Sequence, residues 1–382
     1  MAKKIAVLGA TGSIGTSTLD VIRSAGDDFE PVLLSAQTNT AALCALGREF
    51  PRAVLALSGE NISADLPAGN SVIYGRAALL SAIKTCGADI VIHGIAGAAG
   101  LEPSLAALES GAHLALANKE SVVMGWNLIS ETALRHNALI IPVDSEHSAL
   151  FNLIRAHCPG ARPSEIILTA SGGPFRTLSP QELAEVTVER ALSHPTWNMG
   201  AKITIDSATL ANKGLEVIEA ARLFDMPPEH IRVTVHPQSI VHSMIRLPSG
   251  AVYGEFSRPD MRLPIHNALY YPESRPCPFA HLEFTAPAAA PLTLSFEEPD
   301  TMRFPMLSLA YAALRSGGLY SVAYNAANEA AVARFSAGGL RFPQIAQVTE
   351  AVLAHDWSGS PQNLDAIFDA DRRARDLAAH IE

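Results

Sequence analysis

The segment that most constrains the fold is Gly9-Ala10-Thr11-Gly12-Ser13-Ile14-Gly15, set between a short apolar run, Lys4–Gly9, and a helical pattern over Ser13–Ala25. A strand that ends in a tight glycine turn and feeds a helix lets backbone amides approach a pyrophosphate. The helix N-terminus adds N–H donors and the positive end of its dipole. The spacing is G-x-x-G-x-x-G rather than G-x-G-x-x-G, and a glycine turn with no ligand would look alike in isolation. Its place at the head of an alternating series of strands and helices favours a nucleotide site.

That series continues through Pro31–Ser35, Ala53–Leu57, Asp89–His93, His113–Ala117 and Leu139–Val143, with helical stretches such as Ala77–Thr85 and Leu101–Gly111 between. Alternation of this kind implies crossover connections and a parallel sheet covered by helices on both faces. After the second expected strand the chain reads Ser35-Ala36-Gln37-Thr38-Asn39 and lacks the carboxylate that would bind the ribose 2′-hydroxyl of NAD. Without that repulsion NADP is expected over NAD, although no Arg or Lys stands there to grip a 2′-phosphate.

Beyond about Asp144 the pattern changes. Glu165–Ala170, Lys202–Asp206, Ile231–Val235 and Ala251–Phe256 read as strands of a mixed α+β region. Prolines crowd between Pro272 and Pro305 and suggest an extended connector, and the Ala- and Leu-rich remainder predicts a helical bundle. The expected division is a nucleotide-binding domain over 1–149, a catalytic domain over 150–275, a linker over 276–300 and a helical domain over 301–382. The fold class is therefore α/β: an N-terminal Rossmann-like parallel sheet, a central α+β domain and a C-terminal helical bundle.

Composition narrows the function classes. With 48% hydrophobic and 17% charged residues the chain can bury a large core. A formal net charge of −10 argues against a nucleic-acid partner. Cys44, Cys86, Cys158 and Cys277 form no C-x-x-C pair and read as reduced thiols. The first apolar run is too short for a signal peptide and the longest uncharged run too short to span a bilayer, so a cytoplasmic, non-membrane protein is expected.

Two acidic segments point to metal chemistry. Asp144-Ser145-Glu146 follows an expected strand, and in extended backbone residues two apart face the same way. Paired hard carboxylates suit Mg²⁺ or Mn²⁺ rather than zinc, although a solvated acidic loop is the ordinary fate of such a pair. Downstream, a helix is expected over Ala208–Phe224, where Asn212, Lys213 and Glu216 share a face. The bland alternative is a surface Lys–Glu pair. The sharper reading makes Ser207, Asn212 and Lys213 a phosphate cradle and Glu216 a further metal ligand. Thr169–Phe175 offers a hydroxyl and close backbone at Ser171. The loop His194–Gly200 holds a Trp and a Met suited to cover a small substrate.

GATGSIG, LANKES (Leu116–Ser121), PVDSEH, SGGPF, HPTWNMG, KITIDSATLANKGLE and NAANE (Asn325–Glu329) occur in an order similar to that of the 1-deoxy-D-xylulose 5-phosphate reductoisomerase family. HPQS, HSM and PDMRLPI strengthen the resemblance, which spans essentially the whole chain. It implies a homodimer that uses NADPH and Mg²⁺ or Mn²⁺ to rearrange and reduce a small phosphorylated sugar, 1-deoxy-D-xylulose 5-phosphate, to 2-C-methyl-D-erythritol 4-phosphate in non-mevalonate isoprenoid precursor synthesis. By the same resemblance the metal ligands are Asp144, Glu146 and Glu216. The substrate positions are Lys119, Ser145, Glu146, Ser171, His194, Ser207, Asn212, Lys213 and Glu216, of which Lys119 and His194 join the metal ligands in catalysis. The cofactor positions are Thr11, Gly12, Ser13, Ile14, Asn39, Asn118, Glu120 and Gly200, and Trp197 and Met199 belong to a closing flap. Members often carry Gly-Lys where this chain has Gln37-Thr38. A semialdehyde dehydrogenase is the main rival, but no cysteine sits in the nucleophilic context it needs; a non-catalytic NADP sensor would have no use for three carboxylates.

Overall fold

The computed structural model describes residues 2–59, 70–193, 197, 200–284 and 292–381. The chain divides into two compact units. The first comprises residues 1–121, 127–148 and 260–280, and the second 122–126, 149–259 and 281–382.

The first unit is built on a seven-stranded parallel sheet of β1 (Lys3–Leu8), β2 (Phe29–Ala36), β3 (Val54–Leu57), β4 (Val72–Tyr74), β5 (Ile90–His93), β6 (His113–Leu116) and β7 (Ile140–Pro142). The strand order is β4-β3-β2-β1-β5-β6-β7. Among the described residues, helices follow β1, β2, β4, β5 and β6: α1 (Ser13–Ser24), α2 (Thr40–Glu49), α3 (Arg76–Thr85), α4 (Leu101–Glu109) and α5 (Lys119–Arg135). The last four residues of β1 and all of β5 are buried, which is why these strands read as unbroken apolar runs rather than alternating ones. The order reverses between β1 and β5. In open sheets of this kind ligands bind outside the carboxyl ends of the strands at that reversal, and the glycine turn lies there.

A late segment returns to this unit. In α11 (Arg262–Tyr270) the Tyr270 hydroxyl donates to Asp28 at 2.6 Å, and its ring meets Phe29 edge-on at 4.9 Å. Lys3 Nζ donates to the Leu269 carbonyl at 3.1 Å.

The second unit holds a four-stranded sheet, ordered β11-β10-β8-β9, of β8 (Glu165–Ala170), β9 (Ile231–Val235), β10 (Val241–Arg246) and β11 (Val252–Phe256). Strands β8 and β9 pair parallel and the other pairs are antiparallel. The helix α6 (Ser145–His157) enters it, followed by the short α7 (Pro180–Ala184) and α8 (Val188–Ala191), then α9 (Ala201–Thr209) and α10 (Ala211–Leu223). The C-terminal part is helical among the described residues: α12 (Met306–Ser316), α13 (Tyr320–Ser336), α14 (Gln344–Leu353) and α15 (Leu364–His380). Leu215, Ile218, Met306, Ala310 and Tyr324 share one buried cluster. Gly214 lets these helices close up, because a Cβ there would stand 2.7 Å from that of Ala310 and 2.6 Å from the Tyr324 hydroxyl.

Two expectations are corrected. Lys202–Asp206 is not a strand but the body of α9. Its β-branched run, Ile203-Thr204-Ile205, mimics a strand, yet the Thr204 hydroxyl bonds back to Gly200 O at 2.9 Å and Lys202 pairs with Asp206 one turn on at 2.9 Å. Local helical bonds and packing override the weak strand preference of these side chains. Likewise, Asp144-Ser145-Glu146 is not extended. Asp144 O accepts from Ser148 N at 2.8 Å, so Asp144 opens α6 and Glu146 lies in its first turn.

None of the four cysteines is in a disulfide. No described helix is long and apolar enough to cross a membrane.

Candidate active site

The nucleotide turn is held by backbone and by one hydroxyl. Gly9 has φ +78, and a Cβ on it would stand 2.9 Å from Gly94 O; a Cβ on Gly15 would overlap Gly9 O and Ala10. Ser35, at the end of β2, accepts from Gly9 N at 3.1 Å through its hydroxyl, and its carbonyl accepts from Ala10 N at 2.7 Å. No side chain caps α1 at Gly12, so its first turn presents main-chain donors and a favourable dipole to an anion. Thr11, Gly12, Ser13 and Ile14 all sit on this turn. Asn39 caps α2, its side-chain oxygen accepting from Ala42 N at 3.2 Å, with Gln37 and Thr38 exposed before it.

A second shelf forms where α5 begins. Asn118 caps the helix through Ser121 N at 2.9 Å and donates to Gly97 O at 3.0 Å and to Glu120 at 2.9 Å. Gly100 must be glycine here, since a Cβ would stand 2.5 Å from the Asn118 side-chain oxygen. His93, fully buried at the end of β5, lies 3.0 Å from Gly100 O through Nε2. Burial pushes its imidazole down to about 4, against smaller opposing effects of hydrogen bonds and Glu120, so it is neutral at physiological pH.

Lys119 follows at once, 4% exposed, and its ammonium is ion-paired with Asp144. Asp144 Oδ2 is buried but has no hydrogen bond of ordinary geometry, and the Nδ1 of the fully buried His147 stands 4.0 Å from it. The neighbouring Ser145 hydroxyl donates to Glu146 Oε2 at 2.5 Å. Asp144 beside His147 was not anticipated; the i, i+3 spacing reveals it only once α6 is known to start at Ser145.

In the second unit the expected anion-binding groups gather around a helix elbow. α9 and α10 meet at Leu210, which takes a left-handed conformation with φ 62. Ser207 lies just before this joint and Asn212 and Lys213 just after it. Gly173, φ +68, packs on the same joint: a Cβ there would stand 2.8 Å from Ser207 O. The loop carrying Ser171 is thereby brought to Ser207, and Ser171 Oγ accepts from Gly173 N at 3.3 Å. On α10 the Glu216 carboxylate is fully buried, accepts from Asn212 at 2.5 Å and is ion-paired with Lys213, itself 4% exposed. This is no surface Lys–Glu pair. A carboxylate and an ammonium removed from water each lose several kcal/mol of hydration, and they persist in such a place only when paired and hydrogen-bonded.

The loop expected to cover the substrate is partly placed. Trp197 is half-buried with its ring 6.2 Å from that of His242, edge-on. His194 and Met199 lie outside the described residues, and Gly200 caps α9. His236 has a structural role: its Nε2 accepts from Ile240 N at 3.2 Å, leaving Nδ1 to donate to Ser295 O at 2.9 Å.

Three family models match this chain. The 1-deoxy-D-xylulose 5-phosphate reductoisomerase model covers residues 5–125, its C-terminal domain residues 140–224, and the DXP reductoisomerase C-terminal domain residues 256–377. The 1-deoxy-D-xylulose 5-phosphate reductoisomerase of Chlorobium chlorochromatii is 46% identical over 98% of each chain. This chain belongs to that family. The reductoisomerase of Treponema pallidum is 45% identical over 98% of this chain and 96% of its own length. Among solved structures, the reductoisomerase of Zymomonas mobilis in complex with NADPH superposes with a TM-score of 0.91 at 40% identity, covering 99% of this chain and 98% of that one. A reductoisomerase in complex with NADPH, fosmidomycin and magnesium has a TM-score of 0.90 at 35% identity, covering 99% and 97%. The expected α/β class, with its Rossmann-like parallel sheet, agrees with these structures.

Proposed function

We propose that this chain converts 1-deoxy-D-xylulose 5-phosphate to 2-C-methyl-D-erythritol 4-phosphate, with NADPH as reductant and Mg²⁺ or Mn²⁺ as metal, in non-mevalonate isoprenoid precursor synthesis. The observation that carries the reading is one chain's possession of two unlike sites: a glycine turn at a parallel-sheet reversal, and a Ser–Asn–Lys–Glu cluster around a helix elbow in which Lys213 and Glu216 are buried. Membership of the family and the ligands of its solved members support it.

The residues present fit both groups. A Cβ on Gly9 or Gly15 would collide with the backbone of Gly94, Gly9 and Ala10, so both glycines hold the tight turn that leaves the main-chain donors at Gly12 and the start of α1 open to a pyrophosphate. The acidic positions offer hard oxygens, among them Asp144 Oδ2, which already faces a cationic group, the Lys119 ammonium. Asp144, Glu146 and Glu216 would hold the metal. Thr11, Gly12, Ser13, Ile14, Asn39, Asn118, Glu120 and Gly200 would hold NADPH. When bound, the cation draws charge from the substrate's carbonyl and hydroxyl oxygens and NADPH supplies hydride.

The chain's own groups bind and orient the substrate. Ser171, Ser207, Asn212 and Lys213 hold the phosphate, so that binding energy far from the reacting carbons sets their position. Lys213 is preorganised for this by Glu216, which fixes its ammonium in a site closed to water. Lys119, Ser145 and His194 are assigned to substrate oxygens, with Asp144 holding the Lys119 ammonium in place. Trp197 and Met199 close over the site to exclude water.

The proposed division keeps the boundaries expected from the sequence: nucleotide binding in 1–149, which also lends Lys119, Asp144, Ser145 and Glu146 to the reaction, a catalytic domain over 150–275, a linker over 276–300 and helical support in 301–382. A cytoplasmic homodimer is proposed as the working form. The exposed apolar residues Val252, Tyr253 and Phe256 on the edge strand β11 support self-association. The test is to supply 1-deoxy-D-xylulose 5-phosphate, NADPH and Mg²⁺ and follow NADPH absorbance. Loss of NADPH that stops on chelation and resumes with Mn²⁺ is expected; no substrate-dependent loss in the presence of metal would reject the function.

A further inference from the structure

The second unit contains a buried polar network that the proposed chemistry does not use. Asp206, 1% exposed on α9, is held by the Lys202 ammonium at 2.9 Å and by the side-chain amide of Asn328, which donates to Asp206 Oδ1 at 2.9 Å. One turn earlier on α13, Tyr324 donates from its hydroxyl to Met306 O at 3.1 Å and lies 3.5 Å from Ala211 O, the first residue of α10. Residues 324 and 328 are one helical turn apart and face the same way. One helix therefore grips both arms of the elbow, with Asn328 on α9 and Tyr324 on α10. Leu210, in its left-handed conformation, is the joint between them.

The grip is braced from behind. Glu329 accepts from Asn325 at 3.2 Å and from Arg375 at 2.6 Å, and Arg375 is itself bonded to Asp371 at 2.7 Å. Lys202 lies 4.0 Å from Glu329. Burying a carboxylate in the middle of an alanine-rich helix bundle is costly, and apolar residues of equal volume would hold two helices together at least as well. What a polar network adds is direction: the bonds that Asp206, Lys202 and the Asn328 amide group make here are formed at one relative placement of the helices and broken at others. Asn325 Oδ1 and Asn328 Oδ1 make no hydrogen bond among the described residues.

We propose that Asp206 and Asn328 are positioning residues that set the α9–α10 elbow, and through it the placement of Ser207, Asn212 and Lys213 for binding the substrate phosphate. The proposal rests on those three residues forming the phosphate cradle. Neither Asp206 nor Asn328 touches substrate in this account. Their effect is passed through neighbours: Ser207 follows Asp206 directly, and Tyr324, one helical turn from Asn328, bonds to Ala211, the residue before Asn212.

The network can be exchanged in place. Asp206→Asn removes the charge, Asn328→Asp sets two carboxylates together, and the double variant restores one carboxylate facing one amide with the roles reversed. For each, KM and kcat with 1-deoxy-D-xylulose 5-phosphate, the inhibition constant of inorganic phosphate competing with substrate, and NADPH affinity by fluorescence are measured. The single variants are expected to raise KM and the phosphate constant by about tenfold, with kcat and NADPH affinity within about twofold. The double variant is expected to recover most of that loss. Single variants that melt earlier but keep wild-type KM and phosphate inhibition would reduce the network to scaffolding and overturn the proposal, as would a double variant no better than either parent. Should a single variant fail to fold, Asn328→Ser carries the same test, and an unchanged phosphate constant there overturns it. A wild-type enzyme that turns over substrate yet is untouched by phosphate would instead reject the cradle on which the proposal rests.

Discussion

The nucleotide turn and the helix elbow solve anion binding in opposite ways. At Gly9–Gly15 the ligand-facing surface is main chain, kept open by residues that lack side chains and steadied by one serine hydroxyl. At Ser207–Glu216 it is made of side chains, and the charged ones are buried and tied to one another. Backbone donors carry only partial charge and need no counter-charge, so the first site survives on local geometry. An ammonium and a carboxylate away from water depend on their partners, so the second site is coupled to the helices behind it. The first should be sensitive to added bulk, and the second to lost charge.

The comparison is broken most sharply at Glu216. Glu216→Gln should lower kcat by about 10²–10³-fold, the range seen when a preorganised electrostatic contact is removed from a reaction site. NADPH affinity, read by fluorescence titration, should not change. A variant with near-normal kinetics at limiting Mn²⁺ would remove Glu216 from the metal site. Lys213→Ala should leave the Glu216 carboxylate buried without its ammonium counter-charge. A loss of about 3 kcal/mol in unfolding free energy is expected, together with a rise in substrate KM, measured by denaturant melts and by kinetics. Unchanged substrate affinity in calorimetry would count against the phosphate cradle.

On the nucleotide side, Gly9→Ala should cost about 1–3 kcal/mol of backbone strain and close contact. The expectation is a weaker NADPH affinity with phosphate inhibition intact, the mirror image of Lys213→Ala. Below it sits His93, whose folded pKa is about 4 against an ordinary 6.5. Between those values the unfolded chain binds the extra proton, so stability falls as pH is lowered through that window and is fully present above it. At pH 5 this amounts to about 2 kcal/mol by linkage. His93→Gln should flatten the pH dependence of unfolding between pH 6.5 and pH 4, and an unaltered slope would show that the imidazole is not held neutral. Smallest is Asn39→Ala, which removes a helix cap worth about 1 kcal/mol.

The same contrast explains what could be read from the residues alone. The nucleotide turn is legible because glycine requirements are local: a positive φ at Gly9 and contact at Gly15 are written in the residues that satisfy them. The seven-stranded sheet follows from apolar runs whose burial on both faces removes alternation. The elbow is harder. Ile203-Thr204-Ile205 carries strand preference, and only Thr204 bonding back to Gly200 and Lys202 reaching Asp206 show a helix. A D-x-E spacing looks the same in a strand and at a helix start, so the closeness of Asp144 to His147 stayed hidden. Lys213 and Glu216 are legible as a pair but not as a buried one, because i, i+3 spacing reads the same on a solvated face as on a buried one. Asn328 lies 122 positions from Asp206, and nothing near either residue announces the other.

The most direct test is a Mn²⁺ titration of the wild type and of Glu216→Gln in the presence of NADPH, read by calorimetry. One ion per chain in the wild type, weakened at least tenfold in the variant while NADPH binding is retained, is the predicted result. Equal Mn²⁺ affinity in the two proteins would contradict it.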